Sequence, residues 1–355
     1  MFRVATTVLV VFVAVLGGSH FSFINHSVSF GQTNYNTEDN TGFEKKNDPT
    51  KYDILFTGDV MLARKVEVYM NNEGLDYPFR RLPEMKNSAT YMVGNFEASV
   101  PKVHVPTPYF TFAFSVPEKN LQALKDFGFT HLSLANNHTY DYGEAGLANT
   151  ILALKNFDIE PFGRPNHISY HTTSILNLKD VNIGLIGIHA LFSTPQKSVL
   201  KEAINLLKEE TNLTIAYIHW GDEYILTNNN NQSSLADTLI ELGIDMIVGH
   251  HPHVVQNVEI RSQVPIFYSL GNFIFDQYFS RHVQEGLLLG VSLKADSWEI
   301  ELIPVTSIDK QTSPRLMLSD EKDVFLRELA ERSDESASKQ ISSGLLTIPI
   351  KSLQN

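Results

Sequence analysis

Six short apolar runs, each closing on a cluster rich in glycine, asparagine or histidine, constrain this chain more than any other feature. Tyr52–Thr57 runs into Gly58-Asp59, Tyr91–Val93 into Gly94-Asn95-Phe96-Glu97, and Thr130–Leu134 into Ala135-Asn136-Asn137-His138. Ile215–Ile218 runs into His219-Trp220-Gly221, Met246–Val248 into Gly249-His250-His251-Pro252-His253, and Ile266–Leu270 into Gly271-Asn272. Apolar runs this short, bounded by turn formers, read as buried strands. Between them, Glu118–Phe127, Glu144–Phe157, Lys197–Glu210 and Ser233–Leu242 carry apolar residues at the three-to-four spacing of amphipathic helices. Alternating strands and helices predict an α/β fold with a largely buried sheet. Ser174–Ile188 reads as a hairpin turning at Lys179–Asn182, and Leu287–Leu293 with Trp298–Ile303 as a closing strand pair. Mixed sheets are therefore expected.

The two ends of the chain read differently. Arg3 precedes an apolar run, Val4–Leu16, and then Gly17-Gly18-Ser19. That run has the length of a signal-peptide core, and its continuation through Phe21, Phe23 and Ile24 would make an uncleaved anchor. Residues 1–24 are thus expected to be a signal peptide or membrane anchor, with the remainder on the extracytoplasmic face of the cell membrane. Residues 25–50, rich in Asn, Ser and Thr, are expected to be a disordered linker, because they hold too few apolar side chains to bury. The folded domain is expected over residues 51–308. In residues 309–355, Glu321–Ala330 reads as a surface helix and the final residues as a tail.

Charge narrows the partners. The chain has 28 basic and 40 acidic residues, a net charge of −12, so no nucleic acid is expected to bind through a broad basic face. The absence of cysteine excludes disulfides and Cys-ligated zinc.

In α/β sheets, ligands bind outside the carboxyl ends of the strands. Here those ends carry Asp59, Asn95 with Glu97, Asn137 with His138, His219, His251 with His253, and Asn272. Imidazole and carboxylate are ligands of zinc, manganese and iron, and an Asn carbonyl can fill a further position. Asp59, Glu97, Asn137, His219, His251 and His253 form the candidate ligand set for one or two divalent ions, with Glu97 or Asp59 as the shared carboxylate. Such ions would polarise a phosphoryl oxygen and acidify a bound water. His138, beside Asn137, is placed to act as general acid or base, and Asp59 is the second catalytic candidate. Single motifs also have ordinary readings. Asp59 suits a helix N-cap, Asn136 and Asn137 suit a turn, and a lone His219 suits a satisfied core position. Gly249–His253 is harder to explain that way, since three histidines at one buried strand end would be costly without partners. Asn95, Asn136, Asp141, His250, Glu223, Tyr224, Asn272 and Asp276 surround these motifs as substrate-contact or ligand-orienting candidates. Arg64, Lys65, Arg80, Arg81 and Arg281 are the cations nearest in sequence and the available counter-charges for an acidic ligand.

Taken in order, Gly58-Asp59-Val60-Met61, Gly94-Asn95-Phe96-Glu97, Ala135 through Gly143, His219-Trp220-Gly221-Asp222-Glu223-Tyr224, Gly249 through Val254 and Tyr268 through Gln277 resemble the CapA/PgsA family of capsule synthesis proteins. The resemblance implies a four-layer α-β-β-α sandwich of the calcineurin-like metallophosphoesterase type, preceded by an N-terminal hydrophobic helix. It implies that Asp59 is the first ligand, that Glu97 replaces a bridging Asp, and that Asn137, His138, His219, His251 and His253 match the remaining motifs. Met61 stands where that superfamily has a His, which removes one ligand. The site would then hold one metal strongly, or two with Asn272 or His250 compensating. The resemblance also implies a membrane-associated role in making or exporting poly-γ-glutamate, alongside other capsule synthesis membrane proteins. Poly-γ-glutamate or a related anionic polymer would be the ligand, gripped by the metal and by cations such as Arg64, Arg80 or Arg281. The residues by themselves stop at an exported metal-dependent hydrolase acting on phosphoesters; beside the family role, the alternative is an exported hydrolase acting on a phosphoester or an amide-linked polymer.

Overall fold

The computed structural model describes residues 50–350 and Leu353, apart from residues 109 and 179. The expected signal peptide or anchor, and the expected linker up to its last residue, lie outside the described residues, as does Lys179 in the expected hairpin turn. No helix among the described residues is long and apolar enough to cross a membrane.

The first sheet grows from β1 (Tyr52–Val60), which pairs in parallel with β2 (Ala89–Phe96), β2 with β3 (His131–Ser133), and β3 with β4 (Glu160–Phe162). Helices α1 (Arg64–Glu73), α2 (Leu121–Phe127) and α3 (Gly143–Asn156) make the connections. The chain then builds a second sheet from β5 (Thr173–Leu178), β6 (Val181–His189), α4 (Lys197–Lys208), β7 (Leu213–His219), α5 (Asn230–Glu241), β8 (Met246–His250), β9 (Val258–Arg261) and β10 (Val264–Phe267). Its strand order is β5-β6-β7-β8-β10-β9, parallel through the centre and antiparallel at both edges. The expected hairpin is the β5–β6 pair, with Leu178 opposite Val181. The Asn-rich stretch becomes a cap: the Asn229 side chain accepts from the Gln232 backbone N–H at 2.9 Å and starts α5.

The chain returns to the first sheet through β11 (Asn272–Ile274), β12 (Glu285–Leu293) and β13 (Ser297–Thr306). Asn272 therefore opens a strand in the first sheet; it does not close the Ile266–Leu270 run, whose strand ends at Phe267. The return brings backbones close. The Gly271 carbonyl oxygen lies 2.1 Å from where a Cβ on Gly58 would sit, so Gly58 admits no side chain.

Strand parity sorts the core. Ile54 and Phe56 of β1 face the second sheet and meet Leu213, Ile215 and Tyr217 of β7, while Leu55 faces α1–α3. On the far side, Ala216 and Ile218 pack under α4 and α5 with Leu200, Ile204, Leu235 and Leu239. Helices, sheet, sheet and helices are thus stacked in that order, each interface filled by one face of a strand.

The C-terminal region departs from the expected surface helix and tail. After the short β14 (Arg315–Leu316), α6 (Ser319–Glu331) buries Phe325, Leu326, Leu329 and Ala330, and α7 (Glu335–Ser343) buries Ala337 and Ile341. Then β15 (Leu345–Pro349) pairs antiparallel with β13, burying Leu346 and Ile348 on alternate positions. The period-2 pattern in a five-residue stretch was hidden behind its charged, serine-rich flanks.

Candidate metal centre

Each sheet ends in a row of polar side chains. In the first, Asn95, Asp59 and Asn272 stand in register across β2, β1 and β11, and Glu97 follows β2, its N–H donating to the Val60 carbonyl at 2.9 Å. In the second, His189, His219 and His250 stand in register across β6, β7 and β8. Apolar residues fill the inter-sheet positions of these strands up to the last, as in Leu213, Ile215, Tyr217 and then His219. Period-2 alternation therefore delivers an imidazole where the core gives way to the site. His189 was missed by the sequence reading, which ended the strand at Ile188. The signal was an apolar alternation closing on His, as at His219.

His251 and His253 lie beyond β8 with φ of 97° and 57°. Left-handed backbone in a residue with a Cβ costs about 1–3 kcal/mol and persists only where the surroundings impose it. The bend turns both imidazoles toward Glu97. Glu97 Oε1 lies 3.8 Å from His138 Nε2, 3.8 Å from His219 Nε2 and 3.7 Å from His253 Nε2. None of these is a hydrogen bond, and both Glu97 oxygens are buried with no hydrogen-bond partner. An orphaned buried carboxylate is expensive, and an ion among these ligands would satisfy it. Ligands about 2.0–2.2 Å from one zinc lie roughly 3–4 Å apart, the spacing found around Oε1. Among the described residues, two groups have ligand atoms within 4.8 Å of one another: Glu97 with His251 and His253, and Asp59 with Glu97 and His219. Glu97 belongs to both, the place of a shared carboxylate.

Electrostatics divide the ligand set in the absence of an ion. Burial opposes ionisation of Asp59, but His250 and His253 outweigh it and hold the carboxyl well below its usual range. Burial pushes Glu97 well above its usual range in the absence of an ion. Burial, reinforced by His251, keeps His219 neutral, and burial with the nearby His253 pushes His251 down to about 3. Both are therefore in the form that ligates metal. Burial disfavours charge on His253, yet Glu97 and Asp59 carry it up to about 9.

The other candidates fall into place around this set. Asn95 Nδ2 donates to Asp59 Oδ1 at 2.8 Å and lies 3.2 Å from His219 Nδ1. Asn137 Oδ1 is 2.7 Å from His219 Nε2. Asn136 is internal to its turn, donating to Asn95 Oδ1 and the Phe96 carbonyl and accepting from the His138 N–H. His138 is held at Nδ1 by Asp141 Oδ2 at 2.9 Å and stacked on Phe114 with ring centroids 4.1 Å apart, leaving Nε2 toward Glu97. Asn272 Oδ1, 2.9 Å from His253 Nδ1, orients that ring. His250 Nδ1 lies 3.2 Å from Asp59 Oδ1, without hydrogen-bond alignment, and its ring packs on Tyr217 at 4.2 Å. Tyr224 stacks beside His253 at 6.2 Å, while Glu223 is exposed.

One expectation holds and two change. Met61 Sδ accepts from the Ala63 N–H at 3.0 Å and packs in the core under α1–α3, so this position supplies no ligand. Asp276 reaches the site only indirectly: it pairs with buried Arg64, whose guanidinium lies over Phe114 at 4.6 Å and Phe275 at 5.8 Å. The cations offered for an acidic ligand are engaged by internal acids. Arg64 binds Asp276, Arg80 binds Asp76, Arg81 binds Asp309, and Arg281 binds Glu285 and Glu328. Lys65 lies over the Tyr278 ring.

Residues 53–277 match the family described as bacterial capsule synthesis protein PGA_cap. The chain is 32% identical over 316 residues to the capsule biosynthesis protein CapA of Bacillus anthracis, covering 82% of this chain and 76% of that one. It is 30% identical over 320 residues to the PGA biosynthesis protein CapA of Bacillus subtilis (strain 168), covering 83% and 81%. A phosphatase structure from Mycoplasma pneumoniae aligns with a TM-score of 0.44 and 13% identity, over 84% of this chain and 95% of that one. The chain belongs to the bacterial capsule synthesis protein family.

Proposed function

We propose that this protein is a component of poly-γ-glutamate capsule synthesis whose metal centre engages the polymer. In this reading it works outside the cell membrane, held there by residues 1–24 beside other capsule synthesis membrane proteins. The observation that carries the metal reading is the unpartnered Glu97 carboxylate facing three imidazole nitrogens. The names of the CapA relatives carry the assignment to capsule synthesis. A bound divalent ion, whether manganese, zinc or iron, would supply Lewis acidity toward a carboxylate or amide oxygen. Asp59, Glu97, His219, His251 and His253 would hold it, with Asn137 beside His219. Because the nearby arginines are engaged internally, the ion has to provide most of the grip on an acidic chain.

A second reading, hydrolysis of a phosphoester or an amide-linked polymer in a metallophosphoesterase manner, is favoured by the His138–Asp141 pair. Asp141 fixes the Nδ1 proton, so Nε2 is free to take or give a proton at a bound substrate.

The test is poly-γ-glutamate binding by the purified protein before and after chelation, together with capsule formation by a Glu97→Ala strain. The expected result is binding that disappears with the metal, and a folded variant that makes little capsule. Protease added to intact wall-stripped cells should release the domain. Polymer binding unaffected by chelation, or a normal capsule in the variant strain, refutes the role of the centre. Turnover of an aryl phosphate with manganese would favour the hydrolytic reading.

A further inference from the structure

Between β2 and α2 the chain leaves the first sheet in a loop whose stems are tied down and whose tip is apolar. At the stems, the Ser99 N–H donates to the Phe114 carbonyl and the Val116 N–H to the Ser99 carbonyl, both at 2.9 Å. His104 Nδ1 lies 2.7 Å from Ser115 Oγ, and His104 Nε2 lies 2.9 Å from Glu67 Oε1. Thr107 Oγ1 donates to the Ala113 carbonyl and accepts from the Ser115 N–H. Out from these clamps stand Val103, Val105, Phe110 and Phe112, with 76%, 61%, 86% and 76% of their surfaces exposed. The clamps sit at the base of these exposed apolar side chains.

We infer that this tip docks on an anionic lipid bilayer surface. Three observations favour a bilayer. Residues 98–117 contain no Asp or Glu, in a chain with 40 of them, and include exposed Lys102, so this segment escapes the repulsion that a net charge of −12 would meet at anionic headgroups. The backbone is prepared for low polarity. Pro101, Pro106 and Pro108 have no N–H to leave unsatisfied, and the Pro108 carbonyl accepts from both the Thr111 N–H at 3.0 Å and Thr111 Oγ1 at 2.8 Å. The four side chains stand exposed together on one loop. A headgroup layer accepts such a cluster, whereas a protein partner requires a complementary surface.

Docking would also orient the metal centre. Ser99 Oγ donates to the carbonyls of His138 and Thr139, and the Phe114 N–H donates to Asp141, so both stems grip the turn that carries His138. A tip seated in headgroups would present that edge of the sheets to the membrane. This inference does not require that the centre hold a metal or bind polymer.

The test uses the full chain reconstituted in vesicles of phosphatidylglycerol and phosphatidylcholine. The two native tryptophans, Trp220 and Trp298, are both buried, so a Phe112→Trp variant reports on the tip. Val199→Trp on α4, exposed and on the opposite helical layer, is the control. The expected result is blue-shifted emission, with quenching by brominated acyl chains several-fold stronger for Phe112→Trp than for the control, weakening as phosphatidylglycerol is removed. Emission that stays quenchable by aqueous iodide in vesicles overturns the inference. So does a blue shift already present without vesicles, which would show that residues 1–24 or a second copy covers the tip.

Discussion

The two sheets reach the same site with opposite chemistry. The first brings Asp59, Asn95 and Glu97, carboxylate or amide, with His138 as its one imidazole from the turn after β3; the second brings His189, His219 and His250, with His251 and His253 just beyond. Neither edge is a ligand set alone. Carboxylates crowded together would repel and imidazoles crowded together would stay neutral, but facing each other they lower the cost of burying both. The residual asymmetry is instructive. Asp59 is satisfied by its histidine and asparagine neighbours, whereas Glu97 is left with no hydrogen-bond partner. The sheet edges therefore meet with room for a cation beside one of the two acids.

Breaking the imidazole side should have the largest effect. A His251→Ala, His253→Ala double variant is expected to lose metal in elemental analysis, and with it the added stability of the metal-bound protein. An ion at 100 to 1,000 times its dissociation constant stabilises by about 3–4 kcal/mol, so the metal-dependent rise in Tm should vanish. Unchanged metal content would show that the two edges do not act as one site.

Glu97→Gln sharpens the contrast within the acidic edge. Its folded pKa lies well above 4.5 because of burial, so the group contributes stability at low pH that is lost as pH rises past 4.5. At neutral pH and without metal, Gln should therefore leave stability unchanged or raise it by about 1 kcal/mol, while the metal-dependent increment falls away. A large loss of stability in the chelated variant would mean that Glu97 has a structural partner.

The smallest effect separates the first sheet's ordinary histidine from those at the site. His131 in β3 is buried, with Nδ1 against Thr130 Oγ1 at 2.9 Å, and burial pushes its pKa down to about 3. An unfolded chain protonates it near 6.5, so this group's contribution is intact above that value and is lost as pH falls from 6.5 toward 3. His131→Phe should flatten the fall of Tm measured over that window in the metal-free protein. An unchanged slope would place the acid sensitivity elsewhere.

The sequence by itself determined the alternation of strands and helices, because burial imposes a period of two or about 3.6 on apolar residues. It also determined that Asp59, Glu97, His138, His219, His251 and His253 fall at strand ends, since Gly and Asn beside an apolar run mark where a strand stops. Some features were beyond local pattern. His189 counts only because β6 lies in register beside β7. The arginines looked available until Asp276, Asp76, Asp309, Glu285 and Glu328 were seen to engage them, and two of those partners, Asp276 and Asp309, lie over 200 residues away. The C-terminal strand looked like a tail because the partner that makes it a strand, β13, is about fifty residues earlier. Ion pairs and sheet edges are completed by residues distant in the chain. Only the tertiary structure could decide which acid was satisfied and which, Glu97, was left facing three imidazoles.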